Sequence, residues 1–294
     1  MQPGVQPTIE EPREGVTGGK LTVVGLGPGG PSQRTPQATE ALARATDLVG
    51  YEPYLDLVGP LAAHQTRHAS DNRQESARSR FALDLAASGR VVAVVSSGDP
   101  GVFAMATAVL EELHLGLVRG EHERGEQERG EREPRGPSSA AWGGVRVAIV
   151  PGLTASSAAA ALLGAPLGHD FCVISMSDVL KPWPVVELRL AAVAAADFVI
   201  ALYNPISRHR PWQLGRGIDI VRAHRAPQTP VALARAVGRP GETLRIVALR
   251  DFDPADVDMS TVVIIGSSTT RTFTDGLGHP WMYTPRTYPS PAPW

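Results

Sequence analysis

Short apolar runs along the chain alternate with stretches in which apolar residues recur every third or fourth position, a pattern that predicts repeated strand and helix units. Residues 21–24, 47–51, 91–95 and 145–150 read as strands in the first half, and 171–175, 198–203, 230–234, 244–249 and 261–265 in the second. Helical spacing covers 37–46, 72–89, 104–113, 155–163, 184–195 and 212–224. In the second of these helices, Asp71-Asn72 reads as the cap, Gly89 as the stop, and Ala77, Phe81 and Leu85 as the apolar face. The texture becomes richer in strands after Pro151, which sets the expected division: a loose tail over 1–20, an N-terminal α/β domain over 21–150 and a C-terminal α/β domain over 151–288.

Between residues 115 and 144 the pattern dissolves into an imperfect five-residue repeat of glycine and charge, beginning Gly120-Glu121-His122-Glu123-Arg124. A glycine every fifth residue costs a helix about 1 kcal/mol each, and no apolar stripe exists there to recover it. The segment is therefore expected to be a disordered insertion.

Composition narrows the function. A chain of 294 residues, 43% hydrophobic and 20% charged, can bury the cores of about two domains. Its net charge of -2 gives no basic footprint and argues against nucleic acid as a partner. One cysteine, Cys172, excludes an internal disulfide and every multi-cysteine metal site, and its apolar neighbours predict a buried, inert thiol. Residues 1–20 contain no apolar stretch typical of a signal peptide. The most apolar segment, 190–203, is interrupted by Asp197, so the expectation is a cytoplasmic protein without membrane contact.

Candidate chemistry gathers at the strand ends. Ser96-Ser97-Gly98-Asp99-Pro100-Gly101-Val102-Phe103 follows an apolar strand and opens a helical stretch; Asp99-Pro100 suits a helix start, while Gly98 and Gly101 would let a ligand approach the backbone. Gly25-Leu26-Gly27-Pro28-Gly29-Gly30 matches the G-x-G-x-x-G dinucleotide fingerprint, with Glu52 at the distance of a ribose-binding acid. Yet Pro28, Pro31 and Pro36 break the helix that the fingerprint requires, and Thr35-Pro36 is the better helix start. Nicotinamide chemistry stays open through this motif alone. No G-x-x-x-x-G-K-[ST] phosphate loop exists. Thr154 either caps a helix or presents its hydroxyl to a ligand. His64 and His68 stand four apart, but no third ligand accompanies them, so no metal site is expected. Arg208, Arg210, Arg216, Arg235 and Arg239 form a cationic group that is either a solvated face or a surface for a polycarboxylate substrate.

The ordered set Gly-Leu-Gly-Pro-Gly at 25–29, Ser-Gly-Asp-Pro-Gly-Val-Phe at 97–103, Pro-Gly-Leu-Thr-Ala at 151–155 and Tyr-Asn-Pro at 203–205 resembles the tetrapyrrole methylases, the class III S-adenosylmethionine-dependent enzymes. The stretches 168–178, 180–183, 210–215 and 234–240 resemble its ring-contracting branch more narrowly. The resemblance runs from Leu21 to about Tyr288 and implies two α/β domains of tetrapyrrole-methylase type with the active site in the cleft between them, in a homodimer. It implies methyl transfer to carbon 17 of a corrin precursor with ring contraction, leaving open whether that precursor is metal-free or holds cobalt. Gly98, Asp99, Val102, Phe103, Thr154, Ala155, Met176, Tyr203 and Ala234 would line the S-adenosylmethionine site, and Gly27, Pro28 and Gly29 would lie beside the tetrapyrrole. Arg208, Arg210, Arg235 and Arg239 would meet its acetate and propionate arms. Asp99, Asp178 and His169 are the titratable candidates for proton movement, with Asp99 read mainly as a residue that fixes its own loop. A tetrapyrrole carrier without turnover is the non-enzymatic alternative.

Overall fold

A computed structural model describes residues 19–71, 74–128 and 139–288. Two compact units interleave along the sequence: described residues up to 23, with 40–95 and 105–150, form the first, and residues 24–39, 96–104 and those from 151 onward form the second. The stretches 24–39 and 96–104, expected within the N-terminal domain, thus cluster with the C-terminal part. Both follow strand ends and are tied by hydrogen bonds to each other and to the chain after Pro151.

Up to residue 150 the elements are β1 (Lys20–Gly25), α1 (Pro36–Arg44), β2 (Asp47–Tyr51), α2 (Glu52–Asp56), β3 (Thr66–Ser70), α3 (Glu75–Ala87), β4 (Val91–Ser96), α4 (Met105–Glu128) and β5 (Arg146–Val150). The strands form one sheet in the order β3-β2-β4-β1-β5, with β2 parallel to both neighbours. Leu21, Val23, Val49, Val92 and Val94 pack against Ala82, Leu83 and Ala86 of α3 and Met105, Ala106 and Val109 of α4. Strands covered on both faces carry continuous apolar runs, which is why 21–24 and 91–95 stand out in the sequence. The edge strand β3, Thr-Arg-His-Ala-Ser, has no such run and was not expected.

Two expectations are corrected in this unit. First, α3 starts at Glu75 behind Gln74, and it buries Arg78, Ser79, Ala82, Leu83 and Ala86, while Phe81 is 42% exposed and meets the His68 ring edge-on. Arg78 tolerates burial because its guanidinium donates to Ser70 Oγ at 2.8 Å and to the Asp71 carbonyl at 2.6 Å. Of the expected cap, Asn72 lies outside the described residues. Second, α4 continues to Glu128 instead of stopping near Leu113. Extending a helix already nucleated on a core costs far less than starting one, and the Glu and Arg of the repeat are good helix formers. The 3-10 turn Ser139–Gly144 buries Trp142, whose indole donates to Asp84 Oδ1 at 2.8 Å. Residues 129–138 of the expected insertion, and 1–18 of the expected tail, lie outside the described residues. His64 bonds the Ala43 carbonyl and His68 sits on β3 against Asp47.

The second unit adds α5 (Ala155–Leu163), β6 (Gly164–Ala165), β7 (Phe171–Ser175), α6 (Trp183–Ala195), β8 (Val199–Tyr203), α7 (Gln213–Arg222), β9 (Pro230–Arg235), β10 (Thr243–Ala248), β11 (Thr261–Ile265), β12 (Arg271–Thr274) and β13 (Pro280–Tyr283). Its main sheet runs β10-β9-β11-β8-β7, and β12-β13-β6 form a small second sheet. β7 and β8 are parallel, with Ser175 opposite Tyr203; β11 is antiparallel to β8 and β9, and β10 is antiparallel to β9. One face, with Ile200, Leu202, Val231, Leu233, Val263 and Ile265, packs under α6 and α7, and the other, with Val199, Ala201, Ala232 and Ile264, takes Ala158, Ala159 and Leu163 of α5. This topology brings the carboxyl ends of β7, β8 and β9 to one edge of the sheet. Cys172 is half-buried on β7, where burial, partly offset by the charge of Arg225, pushes its thiol up to about 11 and keeps it protonated. Among the described residues no helix is long and apolar enough to cross a membrane.

Candidate functional site

The loops after β1 and β4 join back to back in the second unit. Gly27 and Gly98 exchange backbone hydrogen bonds of 3.1 and 2.8 Å, and Leu26 N–H reaches the Ser96 carbonyl at 2.9 Å. Gly27 and Gly98 both adopt positive φ, +75° and +64°. Gly29 rests so closely on the chain at Gly238 that a Cβ there would stand 2.2 Å from the Gly238 carbonyl oxygen. With the Gly27 amide already engaged, this loop lacks an amide that a pyrophosphate cradle needs. The following helix, α1, starts at Pro36 as expected, and Thr35 Oγ1 accepts from Ala38 N–H at 3.1 Å.

Asp99 is not a helix cap, because α4 begins only at Met105. Its Oδ1 accepts from Gly101 N–H at 2.8 Å, an Asx turn, and its Oδ2 accepts from Gly152 N–H at 3.1 Å. One carboxylate thus closes its own loop and fastens the loop after β5 to it. Phe103 follows in the left-handed region at φ 52°, 51% exposed, with its ring edge-on to Tyr203 at 5.8 Å. The Tyr203 hydroxyl pairs with Thr154 Oγ1 at 2.6 Å and accepts from Ser156 N–H at 2.7 Å. Tyr203 therefore satisfies the amino end of α5, and the Thr154 side chain does not.

At the end of β7, Met176 N–H donates to the Tyr203 carbonyl at 2.9 Å. Lys181 Nζ donates to the carbonyls of Ser175 and Ser177 at 2.8 and 3.0 Å; burial lowers its pKa, as do Arg189 and Arg210, against an opposing effect of Asp178. Asp178 Oδ2 accepts from Gln213 Nε2 at 3.0 Å. Arg239 donates to the Pro28 carbonyl and, at 2.9 Å, to Ser97 Oγ, joining the loops after β1, β4 and β9.

The structure therefore gathers Gly27, Pro28, Gly29, Gly98, Asp99, Phe103, Thr154, Tyr203 and Arg239 into one connected set, with Val102 beside Asp99 and Ala155 opening α5. Met176 and Ala234 belong to the same edge, but both residues are fully buried. Three of the expected residues do not fit as proposed. His169 precedes β7, at the sheet edge opposite Ser175, where its ring meets Tyr288. Arg210 is buried and donates inward to the Met176 and Asn204 carbonyls, so it has no face for a substrate arm. Arg235 is engaged by Asp258 at 2.8 Å and Arg216 by Glu187 at 2.7 Å, whereas Arg208 stands exposed with His209 at the tip of the Ser207–Arg210 turn. Lys181, Gly152 and Gly238 lie in stretches the sequence singled out, 180–183, 151–155 and 234–240, but none of them was named as a site residue.

A sequence profile of the tetrapyrrole (corrin/porphyrin) methylases matches residues 20–116 and 138–253. The chain belongs to this family. Among its methylase relatives, cobalamin biosynthesis protein CobIJ of Mycobacterium tuberculosis is 48% identical over 281 residues, covering 94% of this chain and 50% of that one. The chain thus spans about half the length of these mycobacterial relatives. Precorrin-3B C(17)-methyltransferase of a Sinorhizobium species is 48% identical over 92% of this chain and 97% of its own. A probable cobalt-factor III C(17)-methyltransferase of Salmonella typhimurium is 41% identical over 91% and 99%. Among solved structures, the methyltransferase CobJ is 44% identical, with a TM-score of 0.79 over 91% of this chain and all of that one. The methylase loops at 25–29, 97–103, 151–155 and 203–205 are the same ones that the hydrogen bonds above tie together.

Proposed function

We propose that this chain transfers a methyl group from S-adenosylmethionine to carbon 17 of precorrin-3B, with contraction of the ring to precorrin-4, in cobalamin biosynthesis. The observation that carries the reading is the match with the Sinorhizobium enzyme along nearly the whole length of both chains. The residues at the sheet edge fit the cofactor: Gly98 leaves open space where a Cβ would stand, Phe103 offers an exposed ring, and the surrounding loops are held by internal bonds. Such a lining suits a ligand held by shape and backbone groups. When bound, the sulfonium supplies an already activated methyl group.

The chain's own part is then alignment and exclusion of water. Asp99 and Arg239 hold four loops in register, those after β1, β4, β5 and β9, and Tyr203 sets the amino end of α5. Of the three titratable candidates, Asp99 spends both oxygens on backbone amides and His169 lies at the opposite edge. Asp178 is the one we assign to proton movement during contraction. Arg208 and Arg239 are the cations we assign to the carboxylate arms. We further propose a cytoplasmic homodimer. A cobalt-containing precursor is the second reading, favoured by the Salmonella relative.

Thermal unfolding in the presence of S-adenosylhomocysteine, NADPH or ATP tests the cofactor. A ligand at a hundred times its dissociation constant adds about 2.7 kcal/mol, a rise of a few degrees in a protein of this size. The expected result is a rise with S-adenosylhomocysteine alone; a rise with NADPH alone would restore the Gly25 loop as a dinucleotide site.

A further inference from the structure

At this edge Arg210 turns its guanidinium into the protein; the residue is 7% exposed. Its Nη1 donates to the Asn204 carbonyl at 2.8 Å and to the Met176 carbonyl at 3.3 Å, and its Nη2 reaches the Met259 sulfur at 3.5 Å. Its backbone pairs with Ser207 in both directions and closes the turn that carries Arg208 and His209. Asn204 needs such a partner, since it is held at φ 49°, in the left-handed region. Its side-chain amide donates in turn to Ser175 Oγ at 3.0 Å, and Met176 N–H donates to the Tyr203 carbonyl. The ends of β7 and β8 are thus closed into one circuit, with the guanidinium at its centre. Lys181 completes that layer from the side, on the carbonyls of Ser175 and Ser177.

We infer that Arg210 is a positioning residue for the cofactor site: by holding the Met176 and Asn204 carbonyls it fixes the backbone at Met176 and Tyr203, and with it the amino end of α5. This rests on the reading that the loops after β7 and β8 hold S-adenosylmethionine. Arg210 acts through those carbonyls and touches neither cofactor nor substrate. Arg208, two residues earlier in the same turn, takes the opposite role and faces solvent.

The test compares wild type, Arg210→Gln, Arg210→Lys and Arg208→Gln in the full chain. Hydrogen exchange is read on the ligand-free proteins, S-adenosylhomocysteine affinity by calorimetry, and kcat and KM with the corrin substrate. Arg210→Gln should speed exchange at Met176, Ser177 and Ser207 while the β8 interior, Val199 to Leu202, stays protected, and should weaken S-adenosylhomocysteine binding about tenfold. Arg210→Lys, which keeps a cation able to reach one carbonyl, should recover most of both. Arg208→Gln should raise KM for the corrin substrate and leave S-adenosylhomocysteine affinity unchanged. Normal exchange and normal S-adenosylhomocysteine affinity in Arg210→Gln, with only the substrate KM raised, would overturn the inference and make Arg210 a substrate ligand. Should wild type bind no S-adenosylhomocysteine while Arg210→Gln still loosens these loops, the positioning role stands and the cofactor reading falls.

Discussion

One buried and one half-buried carboxylate show how differently a charged residue can serve the fold. Asp47 accepts from Arg90 at 2.7 and 3.1 Å, from His68 at 2.8 Å and from Thr46 at 2.7 Å. Burial alone would raise its pKa, but the hydrogen bonds from Arg90, His68 and Thr46, with the Arg90 charge, bring it down to about 2. A carboxylate depressed in the folded state adds stability above its unfolded pKa of about 4 and loses it as pH falls through the folded value. Asp47 should thus contribute roughly 2 kcal/mol at neutral pH, lost between about pH 4 and 2. Denaturant unfolding across that range should show the acid slope flattened in Asp47→Asn; an unchanged slope would remove Asp47 from the account. Asp99, by contrast, serves the site. Asp99→Asn keeps one acceptor oxygen for two backbone amides, so one amide is left unsatisfied, at a cost of about 1–3 kcal/mol. Cofactor affinity and turnover should fall together in that variant. Intact S-adenosylhomocysteine binding with turnover abolished would instead make Asp99 the acid or base. The sequence marked Asp99 because aspartate, proline and two glycines follow a strand. It misjudged Arg210, since a run of arginines looks alike whether a side chain faces water or two buried carbonyls.

At the scale of elements, the close passage of the loops after β4 and β5 depends on glycine. A Cβ on Gly152 would stand 2.1 Å from the Gly98 carbonyl oxygen and 3.0 Å from Gly25 Cα. Gly152→Ala must push these loops apart, and overpacking of this kind costs about 1–3 kcal/mol. The midpoint of thermal unfolding should fall, and S-adenosylhomocysteine binding should be lost with it; full retention of both would mean that the loops yield without cost. The central strands of both main sheets were legible because burial on two faces favours near-continuous apolar runs. β3, β12 and β13 were not, because edge and surface strands such as Arg271–Thr274 are polar or mixed. The face of α3 was misread for a related reason: a satisfied Arg78 occupies a core position that periodicity assigns to an apolar residue.

For the whole molecule, the order of the loops along the chain carried more than any one of them. Gly25 to Gly30 alone reads as a dinucleotide fingerprint, and the structure explains why that reading fails: the Gly27 amide is bonded to Gly98, and the loop lies flat on Gly238. What no single-chain pattern could supply is which polar groups face each other across the sheet edge, because those pairs lie far apart along the chain, 53 residues for Asp99 and Gly152 and 142 for Arg239 and Ser97. The interleaving of the two units has the same origin, since long-range hydrogen bonds draw 24–39 and 96–104 toward the later part of the chain. The central claim is methyl transfer with ring contraction, and its most direct test is single-turnover reaction of the purified chain with S-adenosylmethionine and precorrin-3B, followed by mass spectrometry of the product. The account predicts a ring-contracted corrin bearing one added methyl at carbon 17 and one equivalent of S-adenosylhomocysteine. Unchanged precorrin-3B, with the chain shown to bind both S-adenosylmethionine and the substrate, would contradict it.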